Sequence, residues 1–146
     1  NTPSMVGEGM ASVSVNDLVS KEETQDVLAI FNSFGKAELL DERFIDAVCG
    51  LSGSGPAYVY MFIEALADGA VLEGIPRPLA YTFAAQTVLG AAKMVLETGE
   101  HPGKLKDDVC SPSGTTIEAV RTLEQRGFRS AVTEAVIASA EKNKHM

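Results

Sequence analysis

Apolar positions change their spacing once along this chain. Between Met5 and Val15, the residues Val6, Met10, Val13 and Val15 stand among glycines and serines in a pattern that predicts a short strand. From Lys21 to Phe34 the apolar set Val27, Leu28, Ile30, Phe31 and Phe34 has helical spacing, with Asp17 or Ser20 as candidate cap and Gly35 as stop. Ala37 to Leu40 predicts a second strand. A β-α-β unit of this size buries too little surface to stand alone, so it is expected to belong to a larger sheet whose other strands lie outside the chain.

Beyond Asp41 every segment has helical period and turn punctuation, and the remainder is predicted to be all helix. Glu42 to Cys49 reads as a short helix ended by Gly50. Ser52-Gly53-Ser54-Gly55 reads as a turn before Pro56, which suits a first helical position. The helix that follows runs to about Glu73, with Val59, Phe62, Ile63, Leu66 and Ala70 on one face and Gly74 as its stop. Pro78 to Glu97 is apolar on most of its circumference, a composition that a helix tolerates when other helices enclose it. A second copy of the chain is expected to cover part of it; the alternative is a core helix of a monomer. Short helices at Leu105 to Val109 and Ile117 to Gln125, the latter ended by Gly127, precede a last one from Ser130 to about Lys142.

Composition narrows the class. The 146 residues, 45% hydrophobic and 22% charged, are those of an ordinary globular chain, and a net charge of −8 disfavours nucleic acid as a partner. Gln86, Lys93 and a run of alanines make Leu79 to Leu96 read as a buried helix of a soluble protein, with no membrane. The two cysteines, Cys49 and Cys110, and two histidines form no metal-ligand spacing, so no metal site is expected. Buried, reduced thiols fit a cytoplasmic protein. The chain opens on Asn1-Thr2-Pro3 and is expected to be cut from something longer.

One segment has candidate chemistry. Thr115-Thr116-Ile117-Glu118 matches a capping box, with Thr115 as cap and Glu118 reaching back. The loop before it stacks Ser111, Ser113 and Gly114 against the same helix start, where free amides and the positive dipole end favour an anion. A plain helix cap and a small-carboxylate site both fit. Gly53-Ser54-Gly55 is not a dinucleotide fingerprint, since Tyr58 stands at the third glycine position and a helix precedes it. His101 reads as a surface turn residue.

Asp46-Ala47-Val48 followed by Gly50-Leu51-Ser52-Gly53-Ser54-Gly55-Pro56-Ala57-Tyr58 resembles the helical-domain entry of pyrroline-5-carboxylate reductases. Gly90-Ala91-Ala92-Lys93-Met94, His101-Pro102, Leu105-Lys106-Asp107, the Ser111-Pro112-x-Gly114-x-Thr116 run and Gly127-Phe128-Arg129 continue the resemblance. Asn1-Thr2-Pro3 with Gly7-Glu8-Gly9 is similar to the end of the family's cofactor domain.

The resemblance implies a mainly α fold: a helical dimerisation and substrate-binding domain over 42–146, preceded over 1–41 by the end of a truncated Rossmann-type domain. It implies reduction of 1-pyrroline-5-carboxylate to L-proline with NADPH or NADH, in a homodimer or a higher oligomer of dimers. Ser111 and the amides of Gly114, Thr115 and Thr116 would hold the substrate carboxylate. The Thr116 hydroxyl, the catalytic contact, would meet the ring nitrogen, and Asn1 would sit beside the nicotinamide. The chain alone would be inactive without the missing half. Ser113 stands where the family usually has glycine, and Cys110 where a hydroxyl residue is common. A helical oligomerisation or small-carboxylate-binding module without catalysis is the competing class.

Overall fold

The computed structural model describes residues 1–145. The chain is mainly helical, with two short strands near its start. They are β1 (Gly9–Val13) and β2 (Gly35–Leu39), paired in parallel from Gly9 opposite Gly35 to Val13 opposite Leu39. Between them α1 (Lys21–Asn32) makes the crossover. Ser20, not Asp17, caps α1. Its hydroxyl accepts from the amide of Glu23 while the Glu23 carboxylate accepts from the amide of Ser20, a complete capping box. The first strand is shorter than its apolar pattern predicts. Thr2–Val6 instead forms a 3₁₀ turn with Pro3 as its second residue, where the fixed φ suits a helical start.

From Asp41 onward the described residues hold no strand, as the period predicts. The helices are α2 (Ile45–Val48), α3 (Gly55–Leu72), α4 (Arg77–Thr98), α5 (Pro102–Asp108), α6 (Thr115–Gln125) and α7 (Phe128–Asn143). Gly74, Gly99 and Gly127 follow α3, α4 and α6 with left-handed backbones, so these helix ends fall where glycine puts them. Gly50 is the exception. Helical winding runs through it, because α2 passes into a π turn at Cys49–Gly53 rather than stopping. Gly50 is there for proximity: a Cβ on it would lie 2.6 Å from the carbonyl of Val136 on α7. His101 likewise does more than turn the chain, since its Nδ1 accepts from the amide of Gly103 at 3.0 Å and starts α5 three residues before the predicted point.

Packing divides the chain into two compact units, Tyr58–Ala131 and the remainder. This is a different cut from the composition boundary at 41/42. In the first unit the core is the α3–α4 hairpin, where Ala67, Ala80 and Ala84 are buried and Ile63, Ala70 and Val71 pack around them. The three alanines meet near the corner between the two helices. Arg77 ties the corner by pairing with Asp68 and lying over the Tyr81 ring. Phe62 and Phe128 stack with ring centres 5.8 Å apart. In the other unit Val13 and Thr24 are buried.

The expectation that α4 is buried fails within a single chain. Only Ala80 and Ala84 are covered, while Phe83 is 62% exposed and Leu96 60% exposed. The helix is long and apolar enough to cross a membrane, with a mean hydropathy of 1.3 over its most apolar stretch.

Candidate functional site

The loop between α5 and α6 is shaped by one proline and one glycine. α5 ends as the amide of Cys110 bonds the carbonyl of Asp107 at 3.0 Å. The chain then reverses over Ser111–Gly114, closed by the Gly114 amide on the Ser111 carbonyl at 3.0 Å. Pro112 stands second and Ser113 third, with φ at 59°, the pattern of a type II turn. Ser113 is the one non-glycine residue with positive φ among those described. A Cβ on Gly114 would meet the Ser111 hydroxyl oxygen at 2.3 Å and the Ser111 carbonyl oxygen at 3.0 Å, so a side chain there would displace the Ser111 hydroxyl. The turn therefore packs Ser111 directly against the start of α6.

Gly114, not Thr115, is the N-cap of α6, and no side chain caps it. The predicted capping box is absent for a geometric reason. With Gly114 as cap, Glu118 falls at the fourth helical position, one beyond the point from which it can reach back. It pairs instead with Arg121 through two hydrogen bonds, the Nε contact measuring 2.9 Å. The guanidinium of Arg121 holds the Glu118 carboxyl below its ordinary value. Two consequences favour an anion here. The amides of Thr115 and Thr116 have no acceptor among the described residues. The single carboxylate in the first turn of α6 is neutralised by its own arginine.

Of the residues the sequence singles out, Ser111, Gly114, Thr115 and Thr116 are thus brought together on one short loop and helix start. The Gly114 amide is engaged in closing the turn, which leaves the amides of Thr115 and Thr116 as open donors. The hydroxyls of Ser111, Thr115 and Thr116 are exposed side chains. Asn1 belongs to the other unit, where its side-chain amide donates to the Ser52 carbonyl at 3.2 Å. Sequence periodicity misses the partners of that segment. Asp46 accepts from Asn143 at 2.7 Å, and Ser54 and Ser139 share a hydrogen bond of 2.7 Å. Nothing local in the sequence signals contacts made across more than eighty residues.

A dinucleotide needs a glycine-rich turn between a strand and a helix N-terminus. Gly53 and Gly55 lie in and just after the π turn between two helices, so they do not form that turn. The Asn1 side chain donates to the Ser52 carbonyl, and its amide oxygen has no partner among the described residues.

A helical unit with a bare helix start of this kind is matched by the family model for pyrroline-5-carboxylate reductase dimerisation, over residues 42–146. The chain belongs to that family. It is 63% identical over 146 residues to the pyrroline-5-carboxylate reductase of Escherichia coli (strain K12), covering 100% of this chain and 54% of that protein. It is 49% identical to the enzyme of Glycine max, again over the whole chain and 53% of the relative. Among solved structures, a pyrroline-5-carboxylate reductase from Coxiella burnetii superposes with a TM-score of 0.95 at 36% identity, covering 99% of this chain and 54% of that one. The Plasmodium falciparum pyrroline carboxylate reductase with NADP bound gives 0.87 at 39% identity, covering 99% and 58%. The chain spans about half the length of the relatives it matches.

Proposed function

We propose that this chain is the dimerising and substrate-holding half of a pyrroline-5-carboxylate reductase, which reduces 1-pyrroline-5-carboxylate to L-proline. The bound nicotinamide dinucleotide, NADPH or NADH, supplies the hydride and is seated mainly by the part of the enzyme this chain does not span. The observation that carries the reading is the uncapped start of α6 behind the Ser111–Gly114 turn. A carboxylate placed there accepts from the amides of Thr115 and Thr116 and from the Ser111 hydroxyl, and meets the positive end of the helix dipole. The role of Gly114 is spatial, since a side chain would displace Ser111.

As the family resemblance implies, the Thr116 hydroxyl meets the ring nitrogen while its amide holds the carboxylate. The imine nitrogen is protonated in solution, and hydride delivery to the C=N carbon then depends on orientation more than on a strong acid. Asn1 stands beside the nicotinamide. A second copy of the chain covers the apolar flank of α4, and the family's description as a dimerisation module supports that partner. The cytoplasm is the proposed setting, consistent with two unpaired cysteines.

Calorimetric titration with proline tests the site. Millimolar binding by the folded chain is expected, abolished by Thr116→Val with no loss of helix content. Absence of binding, or binding indifferent to Thr116→Val, would overturn the assignment of this loop.

A further inference from the structure

Pro56 leaves a carbonyl without a partner. In a regular helix the Ser52 carbonyl would accept from the amide of the fourth residue on, and that residue is Pro56, which has none. Just before it the chain makes a π turn at Cys49–Gly53, closed by the Ser54 amide on the Cys49 carbonyl at 2.9 Å. Such turns are frequent at functional sites. Here the orphaned carbonyl accepts from the Asn1 side chain at 3.2 Å.

From the other direction α7 fastens the same turn. Asn143 donates to Asp46 at 2.7 Å and accepts from the Cys49 thiol at 3.4 Å. Ser139 bonds Ser54 at 2.7 Å. Gly50 lets the Val136 carbonyl approach closely enough to hold the two segments together. All these residues belong to one compact unit.

We infer that Asn143 and Ser139 are positioning residues for Asn1: the last turns of α7 fix the π turn, and the π turn fixes the direction in which Asn1 presents its amide oxygen. An asparagine whose NH₂ is held by a rigid carbonyl has its oxygen aimed, whereas a free one rotates. The inference rests on the reading above, in which Asn1 stands beside the nicotinamide.

The test uses the full-length protein carrying this chain, with NADPH binding followed by its fluorescence and proline binding by calorimetry. Asn143→Ala is expected to raise the Kd for NADPH about fivefold, the scale of one lost hydrogen bond, while proline affinity stays unchanged. In an Asn1→Ala background the same substitution is expected to add nothing, because its effect passes through Asn1. Ser139→Ala follows the same pattern and Ser139→Thr restores it; this pair carries the test where Asn143→Ala fails to fold. NADPH affinity unchanged by either substitution, or an equal loss in the Asn1→Ala background, overturns the inference and leaves the proposed function standing. A full-length protein that binds no NADPH overturns both.

Discussion

Ser113 holds a conformation that its side chain opposes. As third residue of a turn whose second is Pro112, it takes a φ of 59°, where an L side chain crowds the neighbouring carbonyl at a cost of about 1 kcal/mol. Ser113→Gly is therefore expected to stabilise the chain by up to about 1 kcal/mol, seen as a higher urea midpoint at unchanged slope. A lower midpoint would mean that the hydroxyl contributes more than the backbone loses. In the sequence this strain was signalled only by the family resemblance, which has glycine where Ser113 stands. The identity of the cap was not. Thr115 and Glu118 have capping-box spacing, yet the turn leaves Gly114 extended at ψ 167° and makes it the cap, one residue earlier. That shift follows from how the turn closes, which a spacing rule does not contain. It also decides the chemistry, since a complete box would have occupied an amide that an anion needs.

At the level of elements, the helix ends at Gly74 and Gly127 fell where the sequence placed them, while the end expected at Gly50 and the starts of α5 and α6 moved. His101 and Gly114 each start a helix earlier than apolar spacing alone indicates. The π turn was invisible because the residues that hold it come from α7, far along the chain. The capping box of α1 is where local chemistry alone suffices. Ser20→Ala is expected to cost about 1 kcal/mol near neutral pH. Its pH dependence has a definite sign. Hydrogen bonds from the Ser20 backbone and hydroxyl lower the Glu23 pKa in the folded state. The ionised carboxylate thus favours folding; its contribution is complete above the unfolded pKa and is lost as pH falls through the lower folded one. Melting temperatures of the wild type and Glu23→Gln are therefore expected to converge in acid. A gap that stays constant from neutral to acid pH would show that Glu23 does not take part.

For the whole molecule the deciding feature is α4. Sequence showed a helix apolar nearly all round, which argues for enclosure, but it could not show what encloses it, since periodicity describes a segment and not its neighbours. A single chain covers only the alanine seam of α4 and leaves Leu79, Phe83, Met94 and Leu96 more than half exposed. Apolar surface of that extent on a 15.4 kDa chain marks either association or a lipid-facing helix. Three observations favour association. Gln86 and Lys93 interrupt the helix, the buried seam is built of small residues as in helix-on-helix packing, and the family model matched over 42–146 is one of dimerisation. Sedimentation equilibrium without detergent is therefore expected to give about twice the chain mass. Phe83→Arg, which puts a charge on the uncovered face and leaves Ala80 and Ala84 in place, is expected to shift that mass toward the monomer with helix content retained. A wild-type monomer that stays soluble would remove the second copy from the fold. A chain that sediments as a defined species only in detergent would replace it with lipid. Dissociation by Phe83→Arg would instead place the interface on α4 itself, because the substitution changes neither the α3–α4 seam nor the loop that holds the proposed carboxylate.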